Sequence, residues 1–284
     1  MDADDNAGQI AEWNGEMGNR WATQQGEIDA IVTTFGVEAL RAAAAQPGER
    51  VIDIGCGCGD TAIALARQVG AAGAVLGVDV SRPMLDVART RGAAERLPQL
   101  DFAEADAAAA PLPSGCDLLF SRFGMMFFAR PAPALAHLRA ALRPGGRLVF
   151  VCWRTPRDNP WAMAPLAAAR AALGITPPKP DPHAPGPFAF ADDVRLRALL
   201  AEAGWVAAEL RRFDAPLTLG VTPRAAAAAA MRVGPVSRFV REFGAGRESE
   251  MMQAVEQALA PLAGPDGAVR LAGSTWIVTA SRPG

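Results

Sequence analysis

Residues 50–62, RVIDIGCGCGDTA, decide the fold of this chain. The β-branched run ends at Ile54, and glycines follow at once at positions 55, 57 and 59. Residues 61–69 then show helical apolar spacing, and residues 74–80 form a second β-rich run that includes Asp79. A strand, a glycine-rich turn, a helix and a second strand make a βαβ unit. We therefore predict an α/β fold with a doubly wound, mostly parallel sheet that is covered on both faces.

The alternation of helices and strands continues beyond this unit. The stretch Arg143-Pro144-Gly145-Gly146 is typical of a helix stop, and the proline-dense residues 176–183 exclude regular structure there. Asp192 has the position of a helix N-cap. Helices are predicted at residues 9–46, 83–91, 132–142, 192–204 and 222–263, and strands at 100–104, 116–121, 147–153, 205–219 and 269–280.

Composition limits the function classes. The chain has 284 residues with a net charge of −2, which argues against a nucleic-acid partner. No apolar stretch approaches the roughly 20 residues of a membrane-spanning helix, and the acidic N-terminus lacks the layout of a secretory signal. The four cysteines are too few for a disulfide scaffold. A cytoplasmic protein is expected, and a homodimer is left open.

The glycine spacing separates two ligand classes. A dinucleotide fingerprint, G-x-G-x-x-G, needs a third glycine where this chain has Asp60, and a carboxylate there would repel a phosphate. The observed pattern is Asp53-x-Gly55-x-Gly57-x-Gly59. An acid two residues before the first glycine suits a ligand with a cationic amine and no phosphate, such as S-adenosylmethionine. A turn that serves only helix–strand packing is the remaining structural interpretation.

Five segments in order carry a family resemblance: VIDIGCGCGDTA, VLGVDVSRPML, EADAAAAPLP, DLLFSRFGMMFF and LRPGGRLVFVCW. They resemble the motif series of class I S-adenosylmethionine-dependent methyltransferases, in particular the bacterial group related to ubiquinone/menaquinone C-methyltransferases. The resemblance covers residues 48–153 closely. It implies a seven-stranded Rossmann-like sheet, S-adenosyl-L-methionine as cofactor and methyl transfer to an acceptor.

The resemblance also implies roles for individual residues. The turn residues Gly55, Cys56, Gly57 and Gly59 would let backbone approach the methionine moiety, with Asp53 near its amino group. Asp79, followed by Val80, would accept hydrogen bonds from the ribose hydroxyls. Met84 would pack on the adenine, and Asp106 with the Ala107 N–H would bind the adenine edge. The Ser121 carbonyl would face the ligand amine, and Trp21 would close over the cofactor.

The same resemblance predicts three regions. Residues 1–46 would form an N-terminal helical lid, residues 47–153 the cofactor-binding core, and residues 154–284 the rest of the sheet. Inserts at 154–190 and 222–263 would cap the acceptor, as long functional loops often do. Aromatic and methionine residues are expected to make this cap apolar: Trp161, Phe188, Phe190, Met231, Phe239 and Phe243. The acceptor should therefore be a small, fairly apolar organic molecule.

Catalytic residues are less defined. Phe123 and Met126 follow the fourth strand and are predicted to line the acceptor pocket. Arg122 and His183 are the candidates for a direct role, although methyl transfer needs a base only when the acceptor must lose a proton. Cys56 and Cys58 lack the second ligand pair of a zinc site, so no metal is expected. Two rival classes stay open: a cofactor-binding protein without transferase activity, and a dinucleotide-dependent oxidoreductase.

Overall fold

A computed structural model describes residues 6–178 and 181–284 of the chain. Residues 1–5 of the predicted lid and residues 179–180 of the proline-dense stretch lie outside the described residues. Seven strands are present: β1 (Arg50–Ile54), β2 (Ala74–Asp79), β3 (Leu100–Glu104), β4 (Cys116–Arg122), β5 (Leu142–Trp153), β6 (Val206–Gly220) and β7 (Val269–Ser281). They form one sheet in the order β3-β2-β1-β4-β5-β7-β6.

Helices connect and flank these strands. The α-helices are α1 (Ala7–Asn14), α2 (Glu16–Thr23), α3 (Gln25–Ala43), α4 (Asp60–Val69), α5 (Arg82–Glu95), α6 (Pro131–Ala141), α7 (Pro160–Leu173), α8 (Asp193–Glu202), α9 (Pro223–Arg232), α10 (Gly234–Phe243) and α11 (Glu248–Leu259). Short 3-10 turns lie at Met125–Phe127, Pro156–Asp158 and Ala260–Leu262. The predicted N-cap of α8 is confirmed, because the Asp192 side chain accepts a hydrogen bond from the Arg195 N–H. No helix among the described residues is long and apolar enough to span a bilayer.

The pairing of the first five strands places the site. Strand β1 pairs in parallel with β2 on one side and β4 on the other, and the chain moves outward from β1 in both directions. In such a doubly wound sheet the crevice lies outside the carboxyl ends of the strands where the order reverses. Here these are the ends of β1 and β4, at Ile54 and Arg122. The predicted α/β fold is confirmed.

The predicted helix stop before Arg143 is confirmed, because α6 ends at Ala141. The strand predicted at 147–153 was too short: Arg143–Gly146 already lies inside strand β5, where the Gly145 N–H donates to the Arg282 carbonyl at 3.1 Å. Tertiary pairing of the backbone overrides the local turn signal here. The helical pattern predicted for residues 9–46 corresponds to the three helices α1, α2 and α3, which are separated at Gly15 and Gln24.

The chain divides into two compact units. The first contains the residues up to Cys152, His183–Arg212 and Trp276–Gly284, and its core centres on buried side chains of β1 and β4, among them Ile52, Leu118 and Phe120. Residues 183–190, expected in the first cap insert, lie in this unit. Phe190 is buried there, 6.1 Å from the ring of Phe150, so it is a core residue and does not line a cap.

The second unit contains Trp153–Pro182 and Phe213–Thr275. Its centre is Asn159, which is fully buried and accepts hydrogen bonds from the Trp161 indole and the Ser274 N–H. Trp161 packs 4.8 Å from the ring of Trp153, and Phe239 is also buried. Of the six apolar side chains expected on the cap, Phe188, Met231 and Phe243 are half-buried. The other three are core residues.

Candidate functional site

The glycine turn between β1 and α4 has an unusual backbone. Gly55, Gly57 and Gly59 all have positive φ, at +67°, +54° and +84°. L-residues rarely adopt this region, which accounts for glycine at each position. A Cβ on Gly55 would lie 2.8 Å from the Gly124 Cα, and one on Gly57 would lie 2.8 Å from the Met84 Cε. Position 55 therefore needs glycine for its packing against the backbone of Gly124, in addition to any ligand, whereas the neighbour of Gly57 is the flexible end of a side chain of helix α5.

Asp79, at the end of β2, closes this turn. Its Oδ2 accepts a hydrogen bond from the Gly57 N–H at 2.8 Å, and its Oδ1 accepts one from the Ser81 N–H at 2.9 Å. Burial raises the pKa of Asp79, and the backbone N–H groups of Ser81, Gly57 and Val80 act in the opposite direction. Each carboxylate oxygen has a second lone pair, so the group keeps acceptor capacity for hydroxyl donors.

Asp53 lies inside β1, directly before the turn, and is 0 % exposed. The Thr61 hydroxyl donates to its Oδ2 at 2.6 Å, but its Oδ1 has no hydrogen-bond partner among the described residues. Burial raises the pKa of this carboxyl to about 7, opposed by Thr61 and Arg122. Buried acceptors without a donor are rare in native proteins. The orphaned oxygen fits a ligand that brings a positively charged hydrogen-bond donor.

The residues expected at the nucleoside lie on neighbouring loops. The Ala105 N–H donates to the Asp79 carbonyl at 3.0 Å, which joins the ends of β2 and β3. Asp106 follows at once, and its Oδ1 accepts a hydrogen bond from the Ala108 N–H at 2.9 Å. Met84 is buried against the glycine turn, and Ala107 is also buried. The structure thus brings the ribose and adenine candidates together at one edge of the sheet.

The turn also contains Cys56, whose N–H donates to the Val78 carbonyl at 3.2 Å. Burial raises the pKa of the Cys56 thiol well above its usual value and that of Cys58 to about 12. Both side chains are therefore neutral thiols at physiological pH. Over the described ranges, no cluster of three metal-ligating side chains occurs.

The exit of β4 forms the other wall. The hydroxyl of Ser121 is buried and donates to the Ile54 carbonyl at 2.7 Å, which ties β4 to the start of the glycine turn. Phe123 has φ +60°, although it is neither glycine nor asparagine, and its ring lies 6.3 Å from that of Phe35. Bulky residues in the left-handed region carry strain of about 1–3 kcal/mol and cluster at functional sites. Met126 is only 2 % exposed, and its carbonyl accepts from the Gly186 N–H.

Arg122 belongs to an ionic network. Its Nη1 lies 2.9 Å from Asp60 Oδ2 and its Nη2 lies 2.6 Å from Asp29 Oδ1. Arg91 joins the same carboxylates and donates to the Cys58 carbonyl at 2.7 Å. The network holds α3, α4 and α5 to the glycine turn. Because two arginines pair with Asp60, the case against a phosphate ligand rests on the buried Asp53 rather than on the charge of Asp60. An acid at the position of Asp79 also binds the ribose in dinucleotide sites and does not distinguish the two ligands. His183, the other catalytic candidate, is exposed.

The N-terminal helices contact the crevice loops. Trp21 lies 5.6 Å from Trp13, and Trp13 lies 5.3 Å from Phe127 in the turn after β4. The two tryptophans belong to separate helices, α2 and α1. Asn14, at the end of α1, donates to the Val80 carbonyl at 2.7 Å and accepts from the Arg82 N–H at 3.0 Å. Neither Asn14 nor Asn6 was identified from the sequence.

Comparisons with known proteins agree with this geometry. A family model described as "Methyltransferase domain" matches residues 51–146. A demethylmenaquinone methyltransferase of Thermus thermophilus is 39% identical over 109 residues, covering 38% of this chain and 49% of the relative. A demethylmenaquinone methyltransferase of Beutenbergia cavernae is 31% identical over 180 residues, covering 58% of this chain and 69% of the relative. The chain spans about half the length of most of the curated relatives it matches, such as 49% and 52% for two of them.

Solved structures agree on the fold. The crystal structure of a protein of Bacillus halodurans, described as a putative methyltransferase, has a TM-score of 0.57 at 18% identity, covering 88% of this chain and 100% of that one. The sequence relatives define the class: the chain belongs to the S-adenosylmethionine-dependent methyltransferase family. The resemblance to this family is thereby confirmed, and its cofactor is S-adenosyl-L-methionine.

Proposed function

We propose that this protein transfers the methyl group of S-adenosyl-L-methionine to a small, fairly apolar organic acceptor. The observation that carries the proposal is the buried Asp53, directly before the glycine turn, whose Oδ1 accepts no hydrogen bond from any described residue. The Asp79 carboxylate accepts a hydrogen bond from the Gly57 N–H of the same turn. A cationic, phosphate-free nucleoside would supply a donor to the Asp53 Oδ1. The buried carboxylate of Asp53, once ionised, would repel the pyrophosphate of a dinucleotide, which disfavours the oxidoreductase alternative.

The binding roles follow the positions of the residues. Asp79 would accept hydrogen bonds from the ribose hydroxyls, and Met84 would pack against the adenine. Asp106 and the Ala107 N–H would bind the adenine edge. The Ser121 hydroxyl donates to the Ile54 carbonyl, and the backbone carbonyl of Ser121 would face the ligand amine. Trp21, whose ring contacts that of Trp13, would help to close the N-terminal helices over the cofactor.

The cofactor supplies an activated methyl group on a sulfonium, and transfer occurs by in-line displacement by the acceptor atom. The protein then has to orient the acceptor and exclude water. Orientation alone lowers such barriers by about 7–11 kcal/mol, so no protein nucleophile is needed. Phe123 and the Trp13–Phe127 pair provide aromatic walls that suit a cation. Arg122 is already paired with two carboxylates, and we assign it to holding the turn rather than to proton transfer.

Two observations favour an apolar aromatic acceptor. The half-buried ring of Phe123 stands at the crevice, and the relatives described above have names that refer to demethylmenaquinone. Both favour a planar apolar ring with a nucleophilic carbon or oxygen. A nucleic-acid acceptor is disfavoured by the net charge of −2.

The test is transfer of label from [methyl-³H]-S-adenosylmethionine to a panel of quinols, phenols and aromatic amines, with each product extracted into organic solvent. We expect label in at least one apolar acceptor, and less label with the Asp79→Ala variant when the cofactor concentration is close to the wild-type Kd. A protein that binds the cofactor but labels no acceptor would favour the alternative of a binding protein without transferase activity.

A further inference from the structure

Asn6 is a buried polar residue immediately before helix α1. It is 8 % exposed, and its side chain contacts two loops that lie far away in the sequence. One loop follows β3 and contains Asp106, and the other follows the 3-10 turn after β4 and contains Ala129. A buried amide needs partners for both its oxygen and its NH₂ group, and these two loops supply them.

The two partners determine the orientation of the amide. The Ala129 N–H can only donate, so the Asn6 Oδ1, 2.8 Å away, must face it. The Asn6 NH₂ group therefore faces Asp106, and its Nδ2 donates to the Asp106 Oδ1 at 2.9 Å. The chemistry of the two partners thus assigns the nitrogen and the oxygen of this side chain.

These contacts orient the carboxylate of Asp106. Its Oδ1 accepts hydrogen bonds from both Asn6 and the Ala108 N–H. Its Oδ2 accepts none from residues 6–178 or 181–284. Because a carboxylate is planar, two donors on one oxygen fix the direction of the other. Asn14 holds the adjacent loop in the same way, between the Val80 carbonyl and the Arg82 N–H.

We propose that Asn6 is a positioning residue that sets the nucleobase specificity of the site. By holding one oxygen of Asp106, it directs the other toward the exocyclic amine of adenine. A purine with an oxo group at that position would bring an acceptor against an acceptor. This inference rests on the proposed function, because it takes Asp106 as the residue that binds adenine.

The test compares two nucleosides in three proteins. Calorimetry gives the Kd of S-adenosylhomocysteine and of S-inosylhomocysteine, in which the exocyclic amine is replaced by oxygen. The Asn6→Asp variant keeps an acceptor for the Ala129 N–H but replaces the donor to Asp106 by a carboxylate. Asn19→Ala is the matched control, because Asn19 is an exposed asparagine on α2 that donates only to the Gly15 carbonyl.

We expect the wild type to prefer the adenine nucleoside by at least about tenfold. In Asn6→Asp the Kd of S-adenosylhomocysteine should rise about tenfold, while that of the inosine analogue changes less than about twofold. Asn19→Ala should keep both wild-type values. Thermal unfolding without ligand checks each fold, and Asn6→Ala, which removes both contacts, replaces Asn6→Asp if that variant does not fold.

Two results would overturn the role of Asn6 alone: unchanged discrimination in the Asn6 variants, or an equal loss of affinity for both nucleosides, which a merely structural residue would cause. A wild type that binds both nucleosides equally contradicts it as well. A wild type that binds neither nucleoside overturns the proposed function itself, and the Asn6 assignment with it.

Discussion

Two glycine-rich segments of the first unit differ in nearly every respect except composition. The turn that contains Gly55, Gly57 and Gly59 leaves β1 at the carboxyl edge of the sheet, and all three glycines have positive φ. The segment Arg143–Gly146 lies inside β5 and pairs through its backbone with Arg282. There only Gly145 has positive φ, and a Cβ on it would meet nothing closer than 3.9 Å.

An aspartate lies beside each segment, and the pKa values of the two aspartates are shifted in opposite directions. Burial raises the pKa of Asp79, which faces the first turn. For Asp117, beside the second segment, burial acts upward too, but the Arg50 N–H and the Arg143 guanidinium prevail and lower its pKa. An ion-paired carboxylate such as Asp117 stabilises the fold, whereas a half-buried carboxylate such as Asp79, which faces no cation among the described residues, is suited to a ligand. Position and electrostatics, rather than glycine count, distinguish a binding turn from a structural one.

The largest effect is expected from Gly57→Val. The new side chain would be strained at φ +54°, would displace the end of the Met84 side chain and would occupy the space where the backbone approaches the ligand, so the Kd of S-adenosylhomocysteine should rise about 100-fold or more. The matched variant Gly145→Val should lower the free energy of unfolding by about 1–2 kcal/mol without changing the Kd. Calorimetry and urea unfolding measure both. Normal binding by Gly57→Val would place the site elsewhere.

Asp79→Ala should come next. Loss of charge-assisted hydrogen bonds to the ribose is expected to weaken binding of S-adenosylhomocysteine by about 1–3 kcal/mol. Part of this arises because the Gly57 and Ser81 N–H groups lose their acceptor. Asp117→Ala is the control at the other segment and should bind normally. Equal affinities of wild type and Asp79→Ala would contradict the ribose assignment.

A smaller effect concerns pH. The pKa of Asp53 is about 7 without ligand, and a cationic amine at its free oxygen would favour the ionised form. Below pH 7 binding must therefore displace a proton, so the Kd should rise as the pH falls, by at most about tenfold per unit, and level off above pH 7. Asp53→Asn cannot titrate and should lose this slope. A wild-type Kd that is flat between pH 5 and pH 8 would count against contact between Asp53 and the ligand amine.

The smallest effect is expected at Asp117. Asp117→Ala leaves the Arg50 N–H and Arg143 without their acceptor and should cost about 1 kcal/mol of unfolding free energy at pH 7. The folded-state pKa lies below the unfolded one, so this contribution is present above about pH 4 and disappears as the pH falls through the folded value. Urea unfolding at pH 7 and at pH 3 measures the difference. A difference in unfolding free energy between wild type and Asp117→Ala that is larger at pH 3 than at pH 7 would contradict this prediction.

The strands and helices of the sheet could be predicted where neighbouring residues in the sequence determine them. Strand β3 was predicted at the residues it occupies, Leu100–Glu104, and helix α4 begins one residue before the predicted start. Continuous apolar strands and a glycine turn are properties of neighbouring residues, and these suffice for a parallel core. The extension of β5 through Pro144 and Gly145 depends on Arg282, which lies more than a hundred residues further along the chain. No local pattern contains that information.

The site divides in the same way. Asp53, Asp79 and the glycines were identified because one motif contains them or a strand end marks them. The contact of Asn6 with Asp106 spans 100 residues, and that with Ala129 spans 123. The left-handed backbone of Phe123 leaves no trace in its residue type, because phenylalanine is unfavourable there. Local sequence patterns could not predict these long-range contacts or this backbone strain.

The most direct test of the account is a calorimetric titration of the purified protein with S-adenosylmethionine and, separately, with NAD⁺. We predict saturable binding of the sulfonium nucleoside and no measurable binding of the dinucleotide, since the unpaired oxygen of the buried Asp53 favours a cationic amine and opposes a pyrophosphate. Binding of NAD⁺ together with no detectable binding of S-adenosylmethionine would contradict this prediction.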